Sequence, residues 1–230
     1  MKGDTRRSKK AFEIRLAEID RLAHPEDSVA VLTLTYGRVH PTTHKGWAAN
    51  LNAFKRLLEK RLGQGIGTLW RKQFAGREIP HYHIIALLPG GVVAGEYVKA
   101  ARRAWLEVVG DGSASHRRHG THGEKLGSWT AIRRYLTKFD RVPIDPATGT
   151  PIETGRMWGT WRADLITVAY DTFQAAPYLD DIRRVLRRYR RPKKGRQRLR
   201  GRTAAYTTMS VFMPYDRAVA LLEFYGVSPP

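Results

Sequence analysis

Two histidines are the first residues of this chain whose type and spacing suggest chemistry. His81 and His83 open the apolar segment HYHIIALL, which reads as a β-strand. Side chains alternate between the two faces of a strand, so both imidazoles should lie on one face, about 6 to 7 Å apart. That geometry suits chelation of a metal ion. The alternative is a pair of hydrogen-bonded structural histidines at the entrance of a strand.

A third ligand is needed to fix an ion between two imidazoles. The chain contains no cysteine, so any further ligand must come from histidine or from an oxygen donor. Gln73 lies on the preceding predicted strand, eight residues before His81, and Glu78 is the other nearby oxygen donor. Both remain open as the third ligand.

A tyrosine and a lysine form the second candidate group. The segment from 128 to 139 is predicted to be a helix, which places Tyr135 and Lys138 at positions i and i+3 on one face. A phenol is a poor nucleophile at neutral pH because its pKa is ordinarily about 10. A divalent ion on the histidines could polarise a phosphate, and Lys138 could pair with the developing negative charge. The alternative is an ordinary amphipathic helix.

The charge of the chain predicts a polyanionic partner. Its 41 Lys and Arg exceed its 21 Asp and Glu, giving a formal net charge of +20. Such an excess is typical of nucleic-acid binding, because basic side chains displace counterions from phosphates. Twelve of the twenty residues from 183 to 202 are basic and none is acidic, although a solvated linker is the alternative. The predicted contacts are Arg77, Arg133, Arg134, Arg187, Arg190, Arg191, Lys193, Lys194, Arg196, Arg198 and Arg200.

Hydrophobic spacing predicts the elements that position these residues. Helices are expected at 10–23, 45–62, 96–109, 128–139, 178–189 and 215–225, and strands at 29–36, 68–74, 81–88, 157–161, 165–170 and 207–213. This order lacks regular βαβ alternation, so an α+β fold with a central antiparallel sheet and flanking helices is predicted. We expect an N-terminal helix and lead-in at 1–28, a core at 29–175, and a basic linker with a closing strand and helix at 176–230.

Three further histidines lie in the segment SHRRHGTHG. His116, His119 and His122 are spaced for one helix face, but Gly120 and Gly123 favour a loop. A DNA-contacting or flexible segment is therefore expected here rather than a second metal site.

In these segments the sequence resembles the HUH endonucleases, and among them the Rep initiators of rolling-circle replication in plasmids and phages. VLTLTY is similar to the first family motif, WRKQFAGREIPHYHII to the second and RYLTK to the third, and GRMWG resembles a stretch that often follows. The resemblance runs in order from about residue 31 to residue 161. Two positions depart from the family pattern. Gln73 stands where relatives carry a metal-binding glutamate, which removes one negative charge, and Glu78 stands where relatives usually have glycine.

The resemblance implies a ferredoxin-like HUH fold and a defined reaction. His81 and His83 would hold Mn²⁺ or Mg²⁺ with Gln73 or Glu78, and Tyr135 would be the nucleophile with Lys138 as its phosphate or metal partner. Tyr135 would attack a phosphodiester, keep the 5′ phosphate and release a 3′ hydroxyl.

The same resemblance implies the partners and the setting of that reaction. The substrate would be single-stranded origin DNA, which can form a hairpin, and host helicase and polymerase would act alongside. The setting would be the cytoplasm of a bacterial or phage-infected cell, with no membrane partner. A relaxase or transposase with the same chemistry, or a non-catalytic nucleic-acid-binding protein of HUH-like fold, are the alternatives.

Overall fold

A five-stranded antiparallel sheet forms the centre of the fold. The computed structural model describes residues 6–74, 79–110, 113–137, 143–145, 147–168, 220, 223 and 224. The strands are β1 (Val29–Thr35), β2 (Gly67–Gln73), β3 (His81–Leu87), β4 (Thr121–Lys125) and β5 (Trp158–Trp161). They are ordered β4-β1-β3-β2-β5, and every neighbouring pair is antiparallel. With helices flanking this sheet, the predicted α+β class is confirmed.

Five α-helices accompany the sheet in the described part of the chain. They are α1 (Arg6–Ala17), α2 (His44–Leu62), α3 (Ala94–Val109), α4 (Ala114–His119) and α5 (Trp129–Leu136). The ends of α2 follow from local chemistry. The Thr43 side chain caps its first turn by accepting a hydrogen bond from the Gly46 amide, at 3.2 Å. Gly63 ends it in the left-handed conformation, at φ 69°, which glycine adopts without strain.

Alternation along the strands divides the apolar residues into two cores, one on each face of the sheet. Ala30, Leu32 and Leu34 of β1 point to the face covered by α2 and α3, where Trp47 and Trp105 are buried. The opposite face packs against α1 and α5; its cluster contains Phe12, Leu16, Leu69, Ile85, Trp129 and Leu136. Gln73, His81 and His83 lie at odd positions of β2 and β3, so they belong to this second face.

The histidine-rich segment is not the loop that its glycines predict. It forms α4 and then β4, which pairs with β1. The Ser113 side chain starts α4 by accepting a hydrogen bond from the His116 amide, at 3.0 Å. Gly123 lies opposite Leu32 in the ladder, and a β-carbon there would come within 2.5 Å of the Leu32 side chain. Close packing of the strand therefore explains Gly123.

Three other element predictions need correction in their described parts. The N-terminal helix predicted at 10–23 starts and ends earlier, as α1 at Arg6–Ala17. The strand predicted at 165–170 is wrong, because Ala163–Leu165 forms a 3₁₀ helix and Val168 makes only an isolated bridge with Ile19. The helix predicted at 128–139 ends at Leu136 as α5, where Thr137 provides the C-cap.

The chain separates into two compact units, residues 1–168 and 169–230. All five strands and five helices belong to the first unit. In the second, the described residues are Ala220, Glu223 and Phe224. All three are helical and lie within the helix predicted at 215–225. The elements predicted at 178–189 and 207–213 lie outside the described residues. No helix in the described part of the chain has the length and apolar character needed to cross a membrane.

Candidate active site

The ladder of the sheet places the three sequence-predicted ligands beside one another. Gln73 of β2 is the direct register partner of His81 of β3, and residues opposite each other in an antiparallel pair point to the same face. His83 follows two residues later on that face. The two imidazole centroids are 6.0 Å apart, with their planes at 83°. The two imidazoles therefore lie on one face at the predicted spacing, and Gln73 adjoins them.

His83 is held by the neighbouring strand. Its side chain is 1% exposed, and its Nδ1 lies 3.1 Å from the hydroxyl of Thr33, its register partner on β1. Its Nε2 is buried and has no hydrogen-bond partner among the described residues. A buried polar atom without a partner costs about 1 to 3 kcal/mol, and a bound ligand would remove that cost.

Burial keeps His83 in its neutral form. Desolvation is the largest cause that lowers its pKa, and the positive charges of His81 and Arg71 add to the effect, taking the pKa to about 3. The neutral imidazole is the form that binds a metal ion or accepts a hydrogen bond. His83 is therefore available as a ligand at neutral pH without first losing a proton.

Helix α5 positions Tyr135 beside His83. The Ser128 side chain caps the helix, and the Trp129 indole donates a hydrogen bond of 3.2 Å to the His24 carbonyl. Trp129 and Leu136 are buried in the core of this face, which fixes the rotation of the helix. Tyr135 is 46% exposed, and its ring centroid lies 5.0 Å from that of His83, with the ring planes at 88°. The phenol is thus both accessible and adjacent to the imidazoles.

A buried arginine lies on the other side of His83. Arg71 is the register partner of His83 on β2, is fully buried, and places its guanidinium 5.0 Å from the ring centroid of Phe12 in α1. Its charge contributes to the low pKa of His83. A guanidinium at this position opposes the binding of a cation and favours the binding of an anion such as a phosphate.

The candidate donor set supplies no negative charge to a divalent ion. Two neutral imidazoles and one amide oxygen are present, and the unpartnered Nε2 of His83 suits a ligand atom. Imidazole donors favour Mn²⁺ over Mg²⁺. Among the residues that the structure describes, no three His, Asp or Glu side chains form a metal-binding group. Within these residues, Gln73 is the third donor beside the histidine pair.

Of the remaining predicted site residues, two lie in the described part of the chain and the others lie outside it. Arg133 and Arg134 lie in the last turn of α5 directly before Tyr135, the first partly buried and the second exposed. The predicted residues outside the described ranges are Glu78, Arg77, Lys138, Arg187, Arg190, Arg191, Lys193, Lys194, Arg196, Arg198 and Arg200.

Two residues that contribute to the site were missed from the sequence. Thr33 on β1 and Arg71 on β2 are polar residues that share the face of His83. The alternation in VLTLTY, with threonine at every second position, is a signal for Thr33. Nothing comparable marks Arg71, because its place beside His83 depends on the register of β2 with β3.

No family model, no curated protein and no solved structure matches this chain.

Proposed function

We propose that the chain nicks and joins single-stranded DNA by transesterification at Tyr135, as the initiator of rolling-circle replication of a small replicon. The observation that carries this proposal is the contact between an exposed tyrosine and a buried, neutral imidazole. Tyr135 lies 5.0 Å, centroid to centroid, from His83, on the face that also presents His81 and Gln73. The sequence resemblance supplies the reaction class, and the net charge of +20 supports a nucleic-acid substrate.

In this proposal the chain's own residues position the nucleophile and its target. Tyr135 Oη loses its proton to solvent and attacks the phosphorus of a phosphodiester. The bond from phosphorus to the 3′ oxygen breaks, and that oxygen takes up a proton from solvent as it leaves. The product is a 5′-phosphotyrosine and a free 3′ hydroxyl. Thr33 orients His83, and the buried guanidinium of Arg71 favours an anion beside it. A Mn²⁺ or Mg²⁺ ion held by His81, His83 and Gln73 would neutralise charge on the phosphate.

A covalent-adduct assay tests the proposal. The protein is incubated with Mn²⁺ and a pool of 3′-labelled single-stranded oligonucleotides with randomised cores, and labelled protein is detected on a denaturing gel. Wild type should form the adduct and Tyr135→Phe should not. Tyr97→Phe is the matched control, because it also removes one hydroxyl but lies fully buried in α3, in the core that α2 and α3 form with the sheet. An adduct that persists in Tyr135→Phe would move the nucleophile elsewhere.

A second candidate is a non-catalytic protein that binds single-stranded nucleic acid. The features that favour it are the neutral Gln73 opposite His81 and the buried Arg71 opposite His83, both of which weaken metal binding. Tight binding of the oligonucleotide pool, with no adduct in Mn²⁺ or Mg²⁺ and no metal uptake, would establish this candidate in place of the enzyme.

A further inference from the structure

A groove without acidic residues in its described lining opens at the end of β1, where Thr35 is the register partner of His81. Its volume is about 230 Å³, and the residues that line it include Thr35, Arg38, Ser113, Ser115, His116 and His119. Thr35 is the register partner of His81, so the groove begins one strand away from the candidate active site. Neighbouring strands are about 4.8 Å apart, which is shorter than one nucleotide. A single strand bound at the histidines would therefore pass close to Thr35, where the groove begins.

The groove is held in shape by hydrogen bonds at Thr35. The Thr35 carbonyl accepts from the indole of Trp105, at 2.9 Å, and contacts Nε2 of His116, at 3.0 Å. A carbonyl can only accept, so this Nε2 must carry a proton. The Thr35 amide also donates to the Gly120 carbonyl, at 2.9 Å. These contacts hold α4 against the end of β1, so the backbone around the groove is in place before any ligand binds.

The lining of the groove is suited to an anion. None of the described residues that line it is acidic. Arg38, Ser115 and His119 are exposed there, and guanidinium, hydroxyl and imidazole N–H groups are common donors to phosphate oxygens. Ligand pockets for drug-sized molecules measure about 300 to 1,000 Å³, so this smaller space fits a phosphate with part of one nucleotide.

We propose that this groove binds the backbone of single-stranded nucleic acid next to the phosphate at the histidine pair. Arg38 would contact one backbone phosphate, and Ser115 and His119 would donate hydrogen bonds to the same nucleotide. The identity of the strand rests on the proposed function, whereas the binding site rests on the shape and charge of the groove.

Salt-dependent binding tests the inference. Affinity for a fluorescent single-stranded oligonucleotide is measured by anisotropy over a series of NaCl concentrations, for wild type, Arg38→Ala and Arg56→Ala. Arg38→Ala should weaken binding several-fold and reduce the slope of log K against log salt by about 0.7, the value for one phosphate contact on a single strand. Arg56 is an exposed arginine of α2 that does not line the groove, so Arg56→Ala should keep the wild-type slope. Equal slopes for the two variants, or no binding by wild type, would overturn the inference.

Two further measurements identify the ligand. Oligonucleotides carrying 4-thiothymidine should crosslink on irradiation to the peptide spanning 113–120 in wild type, and absence of that crosslink would count against the groove. Inorganic phosphate alone should give less thermal protection than the oligonucleotide. Equal protection, lost in Arg38→Ala, would make the groove a site for a free anion and overturn the proposal.

The adduct assay and the salt-slope measurement together distinguish failure of this inference from failure of the proposed function. If wild type forms no adduct but Arg38→Ala still lowers the salt slope more than Arg56→Ala does, the nicking reaction fails and the groove stands. If the adduct forms and the two variants behave alike, the reaction stands and the groove fails.

Discussion

The ring of Tyr135 meets the ring of His83 edge to face, with 5.0 Å between centroids and 88° between planes. On its other side, His83 is 3.1 Å from the Thr33 hydroxyl through Nδ1. The position of the phenol relative to the imidazole pair therefore depends on contacts that run from β1 through β3 to α5. If Nε2 of His83 is the ligand atom, Nδ1 carries the proton and donates it to Thr33.

Thr33→Val should weaken metal binding while preserving the fold. Valine has nearly the same shape as threonine but no hydroxyl, so the ring of His83 loses the contact that orients it. We expect Mn²⁺ affinity to fall by about 10-fold or more, the usual effect of removing such a supporting contact. We also expect a loss of about 1 to 3 kcal/mol in the free energy of unfolding, since a buried nitrogen is left without a partner.

Titration calorimetry with Mn²⁺ and urea denaturation measure the two effects. Thr130→Val is the control, because Thr130 is exposed on α5 and points away from the core. Unchanged Mn²⁺ affinity in Thr33→Val would show that this hydroxyl does not support a metal ligand.

Gln73→Glu should strengthen metal binding. Gln73 is buried directly opposite His81, so a carboxylate there would add the negative charge that the described donor set lacks. We expect Mn²⁺ affinity to rise by about 10-fold, which corresponds to about 1.4 kcal/mol. Gln64→Glu gives the same change of charge at an exposed position after α2. Equal gains in both variants would indicate a general electrostatic effect and would argue against Gln73 as a ligand.

His24→Gln should reduce the loss of stability in acid. His24 is 9% exposed, and its Nε2 accepts a hydrogen bond from the Thr167 amide at 3.2 Å, which requires that nitrogen to be unprotonated. Desolvation lowers its pKa below the ordinary value of 6.5, although the charge of Asp20 opposes the shift. The folded state therefore takes up this proton less readily than the unfolded state, and the stabilisation present above pH 6.5 is lost as the pH falls below it.

Thermal unfolding at a series of pH values checks the prediction for His24. Glutamine retains an acceptor oxygen but does not titrate, so the melting temperature of His24→Gln should fall less than that of wild type below pH 6.5. His122→Gln removes an exposed histidine of β4 and serves as the control. Parallel pH profiles for wild type and His24→Gln would show that His24 does not cause the loss of stability in acid.

Gly120→Ala should destabilise the protein and distort the groove. Gly120 has an ordinary helical φ of −65°, so its backbone does not require glycine. A β-carbon there would instead collide with the ring of His116, the residue that holds α4 against β1. We expect a loss of about 1 to 3 kcal/mol, typical of overpacking. Gly127→Ala is the control, because no atom lies within 4 Å of its β-carbon position. Chemical denaturation measures the stability of both variants. Equal stability would show that the collision does not occur.

The sequence predicted most elements of the first unit because hydrophobic spacing reports directly on periodicity. The strands from 29, 68 and 81 and the helices from 45 and 96 were confirmed to within one or two residues at most ends. The N-terminal helix was placed too late, since α1 spans Arg6–Ala17. The loop predicted around His116 was wrong. Its glycines allow α4 and β4 to pack closely against their neighbours, and such packing between elements leaves no local signal in the sequence.

By itself the sequence determined the alternation that puts His81 and His83 on one face and the positive charge of the chain. It also determined, through hydrophobic spacing, that Tyr135 lies on a helix. These are local or additive properties, and they follow from residue order alone. Only the tertiary structure decided that Gln73 and Arg71 lie opposite the two histidines and that Tyr135 contacts His83. Strand register pairs residues 8 and 12 positions apart, and helix packing brings together residues 52 positions apart. Both depend on how the two cores fill space around the sheet.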